Sequence, residues 1–159
     1  MVTDREPTDI ADALREWMAV AIDEARVALD HDDVPVGAVV VRNGEIIARR
    51  HNERELTGDP TAHAEVLALR DAAAAVGHWR LDDCTLIVTL EPCAMCAGAM
   101  VNARLGSLVF GASDPKAGAA VSHFRLLDGA PLNHVVTMTG GVDAEICGEL
   151  LREFFRARR

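Results

Sequence analysis

The sequence predicts an α/β protein of three layers, in which helices cover both faces of a mixed sheet of about five strands. Two observations support this prediction. After a first helix and a hairpin, helix-like and strand-like segments alternate along the chain. One of these segments, CTLIVTL at residues 84–90, is apolar at nearly every position, which is typical of a strand covered on both faces. We find no internal repeat or low-complexity linker, and we expect a single domain over residues 1–159.

The first half of the chain predicts a helix, a hairpin and a second helix. Apolar residues recur at helical spacing over residues 8–29. Two runs rich in β-branched residues within residues 34–52 are joined by Asn43-Gly44, a dipeptide typical of tight hairpin turns. A helix is expected to begin near Thr61, with this threonine as its N-cap, and to end at Gly77.

The second half predicts three strands and two helices. The apolar strand at residues 84–90 is followed by a helix over residues 92–104, in which Pro92 fits the first turn. Two further strands are expected within residues 105–111 and 134–140. A last helix over residues 143–157 completes the predicted elements.

The charge of the chain is unevenly distributed. The net charge of −9 argues against a protein that binds polyanions over its whole surface. Residues 1–33 hold ten acidic residues and three arginines, whereas residues 34–159 hold fifteen acidic and thirteen basic residues. The chain ends LLREFFRARR, which concentrates cations near the C-terminus. The composition therefore permits a local contact with nucleic acid at this end.

The sequence also indicates a compartment. No apolar stretch is long enough to span a bilayer, and the acidic segment MVTDREPTDIADAL lacks the apolar core of an export signal. Four cysteines in such a chain suggest a reducing environment, where close pairs more often bind metal or take part in catalysis than form disulfides. We expect a cytoplasmic protein that does not associate with membranes.

Cys93 and Cys96 are candidate metal ligands. They stand three residues apart after Pro92, so at the start of a helix both sulfur atoms can face one ion. The N-terminus of a helix also lowers the pKa of a thiol. Two thiolates do not complete a zinc site, which needs four ligands, or three and a water. For an isolated C-x-x-C pair, two small core residues are an equally good interpretation.

The upstream segment PTAHAEV supplies a third candidate ligand, His63. A lone helical histidine is more often a solvated or hydrogen-bonded side chain than a ligand. Here, however, H-x-E is followed after twenty-six residues by P-C-x-x-C, which is the signature of zinc-dependent deaminases. Three protein ligands leave one position of a zinc ion open for water, whose pKa the ion lowers, as in catalytic zinc sites. The pattern therefore predicts zinc bound by His63, Cys93 and Cys96.

Glu65 is the candidate general acid and base. Hydrolytic deamination needs a group that takes a proton from water and finally passes one to the departing ammonia. Glu65 follows His63 by two residues, and such residues do not face each other within a helix, so both are expected at the helix start. This spacing also argues against Glu65 as a further ligand. Alone, it would be a glutamate that favours a helix N-terminus.

With the signature in place, most of the chain from residue 34 onward resembles the bacterial tRNA-specific adenosine deaminases, members of the cytidine-deaminase-like superfamily. The matching segments are VPVGAVVV, HN, DPTAHAEVLALR, TLEPCAMCAGAM, VFGASDPKAGAA, NHVVTMTGGV and FFRARR. The resemblance implies a zinc-dependent enzyme, with one ion per subunit, that converts the wobble adenosine of a tRNA anticodon to inosine. The expected substrate is an arginine tRNA with the anticodon ACG, and the expected assembly is a homodimer.

The resemblance also implies which residues meet the substrate. Asn52 would hydrogen-bond the flipped adenine, since its amide offers both a donor and an acceptor. The other expected contacts to the anticodon loop are Asp114, Lys116, Phe154, Phe155 and Arg156, with a ring stacking on a base and the arginine on phosphate. Adjacent helical residues point about 100° apart, so at least one of the two phenylalanines is expected in the core.

The chain departs from the family pattern at one loop. Val121 stands where a glycine is expected after DPKAGAA, and valine tolerates a positive φ poorly, so the loop backbone is expected to differ. Cys84 and Cys147 have no ligand-like neighbours and are interpreted as buried small residues.

Two other functions fit parts of this pattern. A deaminase of free bases or nucleosides, such as guanine or cytosine, would need the same His63, Glu65, Cys93 and Cys96, but it would not need the arginine-rich tail. A zinc-stabilised binding module without chemistry would need a closed site of four ligands, and only three are well spaced.

Overall fold

The computed structural model describes residues 7–158, whereas residues 1–6 and Arg159 lie outside this span. Its helices and strands, in chain order, are α1 Pro7–Ala28, β1 Gly37–Arg42, β2 Glu45–His51, α2 Arg54–Thr57, α3 Ala64–Val76, β3 Cys84–Leu90, α4 Ala94–Asn102, β4 Ser107–Ala112, β5 Thr137–Thr139 and α5 Ala144–Arg156. None of the helices in residues 7–158 is long and apolar enough to cross a membrane.

The five strands form one mixed sheet, as predicted. Their order is β2-β1-β3-β4-β5, in which β1 is antiparallel to both neighbours and β3, β4 and β5 are parallel. The turn between β1 and β2 has positive φ at Asn43 (52°) and Gly44 (78°), as the Asn-Gly signal predicted. The parallel strands require crossover connections, and α4 supplies the one between β3 and β4.

Helices cover both faces of the sheet and complete the predicted three layers. The helices α1 and α5 pack on one face, where Met18 and Cys147 share a core with Val39 and Ile87. The helices α3 and α4 pack on the other face, against side chains such as Leu86. Burial of an aliphatic side chain stabilises the fold by about 1.5–3 kcal/mol, so these two clusters hold the layers together.

Gly37 brings α1 close to the sheet. A Cβ atom at this position would overlap the backbone oxygen of Ala21 and the backbone nitrogen of Ala25 in α1. The absence of a side chain at Gly37 therefore lets the helix backbone lie directly on the first residue of β1.

Two helix starts differ from the prediction. The helix α3 begins at Ala64 with His63 as its N-cap, so the prediction of Thr61 as the cap was wrong. The side-chain hydroxyl and the N–H of Thr61 instead donate to the carboxylate of Asp59, each at 2.8 Å, which forms a separate turn before the helix. The predicted end of this helix at Gly77 is confirmed.

The helix α4 begins later than predicted, and the strand β5 is shorter than predicted. The N-cap of α4 is Cys93, so Pro92 lies before the first turn of this helix and not within it. The carbonyl of Pro92 accepts a hydrogen bond from the N–H of Ala119 at 2.7 Å, and thus binds a distant loop instead of the helix. The strand predicted within residues 134–140 is reduced to Thr137–Thr139.

Candidate metal centre and active-site pocket

The three predicted ligands lie together at two helix starts. His63 is the N-cap of α3, Cys93 is the N-cap of α4, and Cys96 follows in the first turn of α4. His63 Nδ1 lies 3.6 Å from Cys93 Sγ and 3.4 Å from Cys96 Sγ, and the two sulfur atoms are 3.7 Å apart. Residues separated by about thirty positions in the chain thus present three donor atoms to one point.

These distances match the edges of a tetrahedral zinc site. With Zn–S bonds of about 2.3 Å and a Zn–N bond of about 2.0–2.1 Å, two sulfur ligands lie about 3.8 Å apart, and a nitrogen and a sulfur about 3.6 Å apart. Within residues 7–158, the cluster contains these three residues and no fourth ligand. The residues fit a zinc ion with one open position, which is the arrangement of a catalytic site and not of a closed structural one.

The ionisation of the two cysteine thiols is also consistent with a metal site, because thiols bind zinc as thiolates. The neighbouring Cys96 thiol and the His63 ring lower the pKa of Cys93 far below its ordinary value, so one sulfur is readily a thiolate. The Cys93 sulfur and burial raise the pKa of Cys96, because two anionic sulfurs so close together repel each other. A divalent cation between them would remove this repulsion and ionise both.

Glu65 lies beside the three ligands in the first turn of α3. Its side chain is buried, with 4% of the residue exposed, and burial raises the pKa of its carboxyl group above the ordinary value. A carboxyl group whose pKa is raised is better suited to exchange protons with a substrate than an ordinary surface carboxylate. The structure thus places a buried carboxyl group at the wall of the same pocket as His63 and Cys93.

This pocket has a volume of about 350 Å³. One part of its lining is polar and includes Asn52, His63 and Glu65, whereas Val36 and Leu90 supply apolar surface. A concave site with apolar walls and a few convergent polar groups is typical of a pocket for a small molecule.

Asn52 occupies the wall of this pocket and also has a structural role that we did not predict. The residue is buried, its side-chain N–H donates to the carbonyl of Val34 at 3.0 Å, and its side-chain oxygen accepts from the N–H of Ala64 at 2.8 Å. The contact to Ala64 binds the first free N–H of α3, next to His63. An amide has two donor hydrogens and two lone pairs, so one of each stays available for a substrate.

A second, larger cavity adjoins the pocket. Its volume is about 780 Å³, and four residues line both spaces, namely Asp114, Ala117, Leu151 and Phe155. The larger cavity is also lined by the cations Lys116, Arg152, Arg156 and Arg158. The structure therefore brings the predicted Asp114, Lys116, Phe155 and Arg156 together around one cationic cavity beside the candidate metal centre. Arg159, the last cation of the tail, lies outside the described residues.

The two phenylalanines of α5 have different environments. Phe154 is buried, with 7% exposed, and the guanidinium carbon of Arg158 lies 3.5 Å from the centre of its ring. Phe155 is 51% exposed and lines both cavities. This confirms the expectation that one of the two belongs to the core. Of the two rings, that of Phe155 is free to stack on a base.

Arg158 holds the end of α5 in place. Besides its contact with the ring of Phe154, its side chain donates to the carbonyl of Phe154 at 3.0 Å and to the carboxylate of Asp32 at 2.9 Å. Asp32 lies just after α1, so Arg158 ties the C-terminal helix to a distant part of the chain. This arginine supports the wall that carries Phe155, a role that its place in a basic tail did not indicate.

Glu91 is a buried residue of the site that sequence reasoning missed. It follows β3 and is 1% exposed. One carboxylate oxygen accepts from the N–H of Asp114 and the hydroxyl of Ser122, and the other accepts from the N–H groups of Ala120, Val121 and Ser122. Burial opposes ionisation, but these hydrogen bonds outweigh it and lower the pKa of Glu91. The one signal in the sequence is an acidic residue directly after an apolar strand.

The loop that contains Val121 has no strain at this position. Within residues 7–158, the residues other than glycine with positive φ are Asp32, Asn43, Arg104 and Asp143, so Val121 adopts an ordinary conformation. Its N–H donates to Glu91 at 2.9 Å, and its side chain is 38% exposed. A valine therefore fits this position without backbone strain.

The remaining two cysteines are buried, as expected. Cys84 and Cys147 are each 1% exposed, and burial raises the pKa of both thiols to about 11. Neither belongs to the ligand cluster. They behave as small apolar core residues.

Comparison with known proteins identifies relatives that match most of this chain in sequence and in fold. Residues 13–159 match the family model of the MafB19-like deaminases. A tRNA-specific adenosine deaminase of Bacillus subtilis (strain 168) is 50% identical over 143 residues, which are 90% of this chain and 89% of the relative. A solved structure from a study of A-to-I editing by tRNA:A34 deaminases at the wobble position of transfer RNA is 42% identical, with a TM-score of 0.83, over 86% of this chain and 99% of the other. The guanine deaminase of Bacillus subtilis is 38% identical, with a TM-score of 0.61, over 69% of each chain.

Proposed function

The chain belongs to the tRNA-specific adenosine deaminases, and on this premise we propose that it hydrolyses the wobble adenosine of a tRNA anticodon to inosine with one zinc ion per subunit. One observation carries the proposal. A ligand cluster that fits catalytic zinc shares a pocket with the buried Glu65, and this pocket opens beside a cationic cavity.

The proposed reaction replaces the amino group of adenine by oxygen. A zinc ion held by His63, Cys93 and Cys96 would supply an activated water near neutral pH. Water adds to the ring carbon that carries the amino group, the bond from this carbon to nitrogen breaks, and ammonia leaves. Glu65 takes one proton from the attacking water and gives it to the ring nitrogen. It then takes the second proton, from the hydroxyl group that has added to the carbon, and gives it to the departing amino group as the carbonyl forms. Its buried position keeps bulk water from competing for these protons.

Asn52 is proposed to orient the base. Its amide retains one N–H and one lone pair at the pocket wall, after its bonds to Val34 and Ala64. A purine edge offers complementary donors and acceptors, so a fixed amide selects one orientation of the ring. The two bonds that hold Asn52 restrict its rotation and improve this selection.

The cationic cavity is proposed to hold the anticodon loop around the target nucleotide. Phe155 offers an exposed ring on which a base can stack, Lys116 and Arg156 are placed to meet phosphates, and Asp114 stands between the two cavities. Phe154 is not proposed to touch the substrate directly. Its ring packs against Arg158, which lines the cationic cavity, and we propose that it contributes by holding this arginine in place. The target must leave the stack to reach the inner pocket, and an unpaired loop nucleotide does so at little cost.

The proposed substrate is an arginine tRNA with an ACG anticodon, in agreement with the family resemblance. The alternative substrate is a free base, since the guanine deaminase of Bacillus subtilis has a similar structure. Two observations favour tRNA. The tRNA-specific relative matches a larger share of this chain at higher identity, and a free base has no need of the four-cation cavity.

A homodimer in the cytoplasm is proposed from the same resemblance. One surface supports it. An apolar groove between α3 and α4 is lined by Leu69, Ala73, Trp79 and Ala99, and Trp79 is 56% exposed. A second copy of the chain covering this groove would bury the tryptophan. Light scattering should give twice the mass of the chain for the wild type and a smaller mass for Trp79→Glu. A monomeric wild type would contradict the dimer.

The substrate is tested by offering several amines in parallel. The zinc-loaded protein is incubated with a transcribed arginine tRNA of anticodon ACG and, separately, with adenosine, guanine and cytosine, and the ammonia released is measured. We expect ammonia from the tRNA alone. Ammonia from guanine or cytosine, and none from the tRNA, would reassign the chain to deamination of free bases and leave the cationic cavity without a substrate.

A further inference from the structure

The loop at residues 113–122 forms part of the wall between the two cavities through Asp114 and Ala117. Both ends of this loop are bound to one carboxylate, that of Glu91, by hydrogen bonds from Asp114 at one end and from residues 120–122 at the other. We propose that Glu91 is a positioning residue, which sets where this loop stands relative to the reacting centre. The proposal rests on the tRNA-deaminating function, because the loop is taken to face the substrate.

The two oxygens of Glu91 bind different parts of the loop. Oε2 accepts from three consecutive backbone groups, at 3.2 Å for Ala120, 2.9 Å for Val121 and 2.9 Å for Ser122. Oε1 accepts from the N–H of Asp114 at 3.1 Å and from the hydroxyl of Ser122. Five donors thus converge on one side chain, and only a group with two acceptor oxygens and no donor satisfies all of them.

Asp114 connects the residues held by Glu91 to the part of the loop that lines the cavity. Its side-chain oxygen accepts from the N–H groups of Lys116 and Ala117, and its carbonyl accepts from the N–H of Gly118 at 2.9 Å. The turn at residues 114–118 is therefore organised around Asp114. Because Glu91 binds the backbone N–H of Asp114, and Asp114 binds the N–H of Lys116, Glu91 also determines where Lys116 lies in the cationic cavity.

The packing around Glu91 leaves little freedom. A Cβ atom at Gly118 would overlap the Glu91 carboxylate and the carbonyl of Asp114, so the loop can wrap around the carboxylate because this residue is glycine. Within residues 7–158, the ion pairs do not include Glu91. Its negative charge is balanced by N–H and O–H dipoles of the loop, and loss of the loop contacts would leave that charge buried without partners.

The same stretch of chain also carries a ligand. Pro92, next to Glu91, accepts from the N–H of Ala119 at 2.7 Å, and the following residue is Cys93. The loop is thus bound to the two residues that precede a donor of the candidate metal centre. This connection fixes the distance between the substrate loop and the reacting atoms, which catalysis needs to within a fraction of an ångström.

The variant Glu91→Gln tests the proposal by removing one hydrogen bond, that from the N–H of Asp114 to Glu91. The amide oxygen of glutamine can accept from the three N–H groups of residues 120–122, and its NH₂ group then occupies the place of Oε1. There the hydroxyl of Ser122 can turn and accept, but the N–H of Asp114 faces another donor and loses its partner. The substitution therefore frees the Asp114 end of the loop and retains the other end.

We expect residue-specific results from this variant. Hydrogen exchange by NMR should be roughly tenfold or more faster at the N–H of Asp114, with residues 120–122 still protected, since an unpartnered group loses about the free energy of its bond. The KM for tRNA should rise roughly tenfold with a smaller change in kcat, because the loop contributes to binding. The zinc content should equal that of the wild type. Ser122→Ala removes one donor and retains every backbone bond, so it should have a smaller effect on both measurements.

Glu145→Gln, at an exposed glutamate of α5, is the matched control and should behave as the wild type. Unchanged exchange at Asp114 and an unchanged KM in Glu91→Gln would overturn the proposal. Faster exchange throughout the chain, with loss of zinc, would also overturn it, because Glu91 would then support the fold as a whole. A wild type that releases no ammonia from tRNA would refute the proposed function, whereas the exchange result would still decide whether Glu91 fixes the loop.

Discussion

The side-chain oxygen of Asn52 accepts a hydrogen bond from the N–H of Ala64 at 2.8 Å, so the amide at the pocket wall also holds the start of the helix that presents His63. The side chain that is proposed to orient the substrate thus also holds the helix start that carries a candidate metal ligand. Asn52 lies twelve residues before Ala64, directly after β2, and the short helix α2 occupies the intervening chain. The end of the hairpin is therefore bound directly to the helix start that carries the candidate ligand His63.

The variants Asn52→Ala and Asn52→Asp should separate these two roles. Alanine leaves the N–H of Ala64 and the carbonyl of Val34 without partners, and we expect the free energy of unfolding to fall by about 1–3 kcal/mol. Aspartate can still accept from Ala64, so it should retain more zinc than alanine does. Both should lose activity on tRNA. Urea unfolding and zinc content are the measurements, with Asn133→Ala, at an exposed asparagine, as the control. Equal zinc content in the two variants would argue against the contact to Ala64.

Removal of the metal should abolish activity and lower stability. A bound ion that prefers the folded state stabilises it by RT ln(1 + [L]/Kd), so a chelator should lower the unfolding midpoint and added zinc should restore it. We expect one zinc per chain by elemental analysis, and much less in Cys96→Ala, which removes a buried donor. The matched variant Cys147→Ala, in the core of the opposite face, should retain its zinc. Full activity of the metal-free protein would contradict the assignment of the ligands.

Arg156 should contribute to tRNA binding through charge. It is exposed and lines the cationic cavity. If it meets one phosphate, Arg156→Ala should weaken binding and reduce the slope of log affinity against log salt by about 0.7, as expected for one contact to a single strand. Filter binding at several salt concentrations measures this slope. Arg26→Ala, in α1, is the control. An unchanged slope would remove Arg156 from the binding surface.

Arg158 should act through packing and not through phosphate. Its ion pair with Asp32 is weak, since the aspartate side chain is 84% exposed, and such pairs contribute about 0–1 kcal/mol. Its contact with the ring of Phe154 is better protected from solvent, since Phe154 is only 7% exposed. We therefore expect Arg158→Ala to reduce stability more than Asp32→Ala does, and to weaken tRNA binding with little change in the salt slope. A slope reduced as much as in Arg156→Ala would instead indicate a phosphate contact.

Asp33 should make the free energy of unfolding depend on pH in the acidic range. Burial opposes its ionisation, but hydrogen bonds from the N–H groups of Glu55 and Leu56 and from His31 outweigh burial and lower its pKa. A lowered carboxyl pKa contributes stability above the unfolded value of about 4, and this contribution disappears as the pH falls through the lower folded value. Wild type should therefore exceed Asp33→Asn in unfolding free energy at pH 7, and the difference should shrink in acid. A difference independent of pH would contradict this account.

The parts of the structure that follow from local sequence were predictable. The hairpin at Asn43-Gly44 and the helix end at Gly77 depend on which residues tolerate a positive φ, and such signals lie within a few residues. The ligands were predicted from spacing in a known signature. Thr61 shows the limit of the capping rule, because its hydroxyl and N–H donate to Asp59 in a separate turn, and the helix begins three residues later at Ala64.

The contacts that sequence reasoning missed join distant parts of the chain. Glu91 meets Ser122 across 31 positions, and Arg158 meets Asp32 across 126. Periodicity and composition carry no information about such pairs, since each partner alone is an ordinary charged residue. The three-dimensional fold brings them together. The consequence for the site is that its cluster of candidate ligands could be predicted from sequence, but the residues that contact its loop and its C-terminal wall could not.

The most direct test of the central claim is inosine formation at the wobble position of an ACG arginine tRNA, measured by sequencing, with zinc-loaded wild type and zinc-loaded Glu65→Gln. Glutamine retains the size of the side chain but cannot transfer protons. We predict inosine at the wobble position with the wild type and, with the variant, none above the level without enzyme. Equal rates of inosine formation by the two proteins would contradict Glu65 as the proton-transferring residue. A wild type that leaves the wobble adenosine unchanged would contradict the proposed function itself.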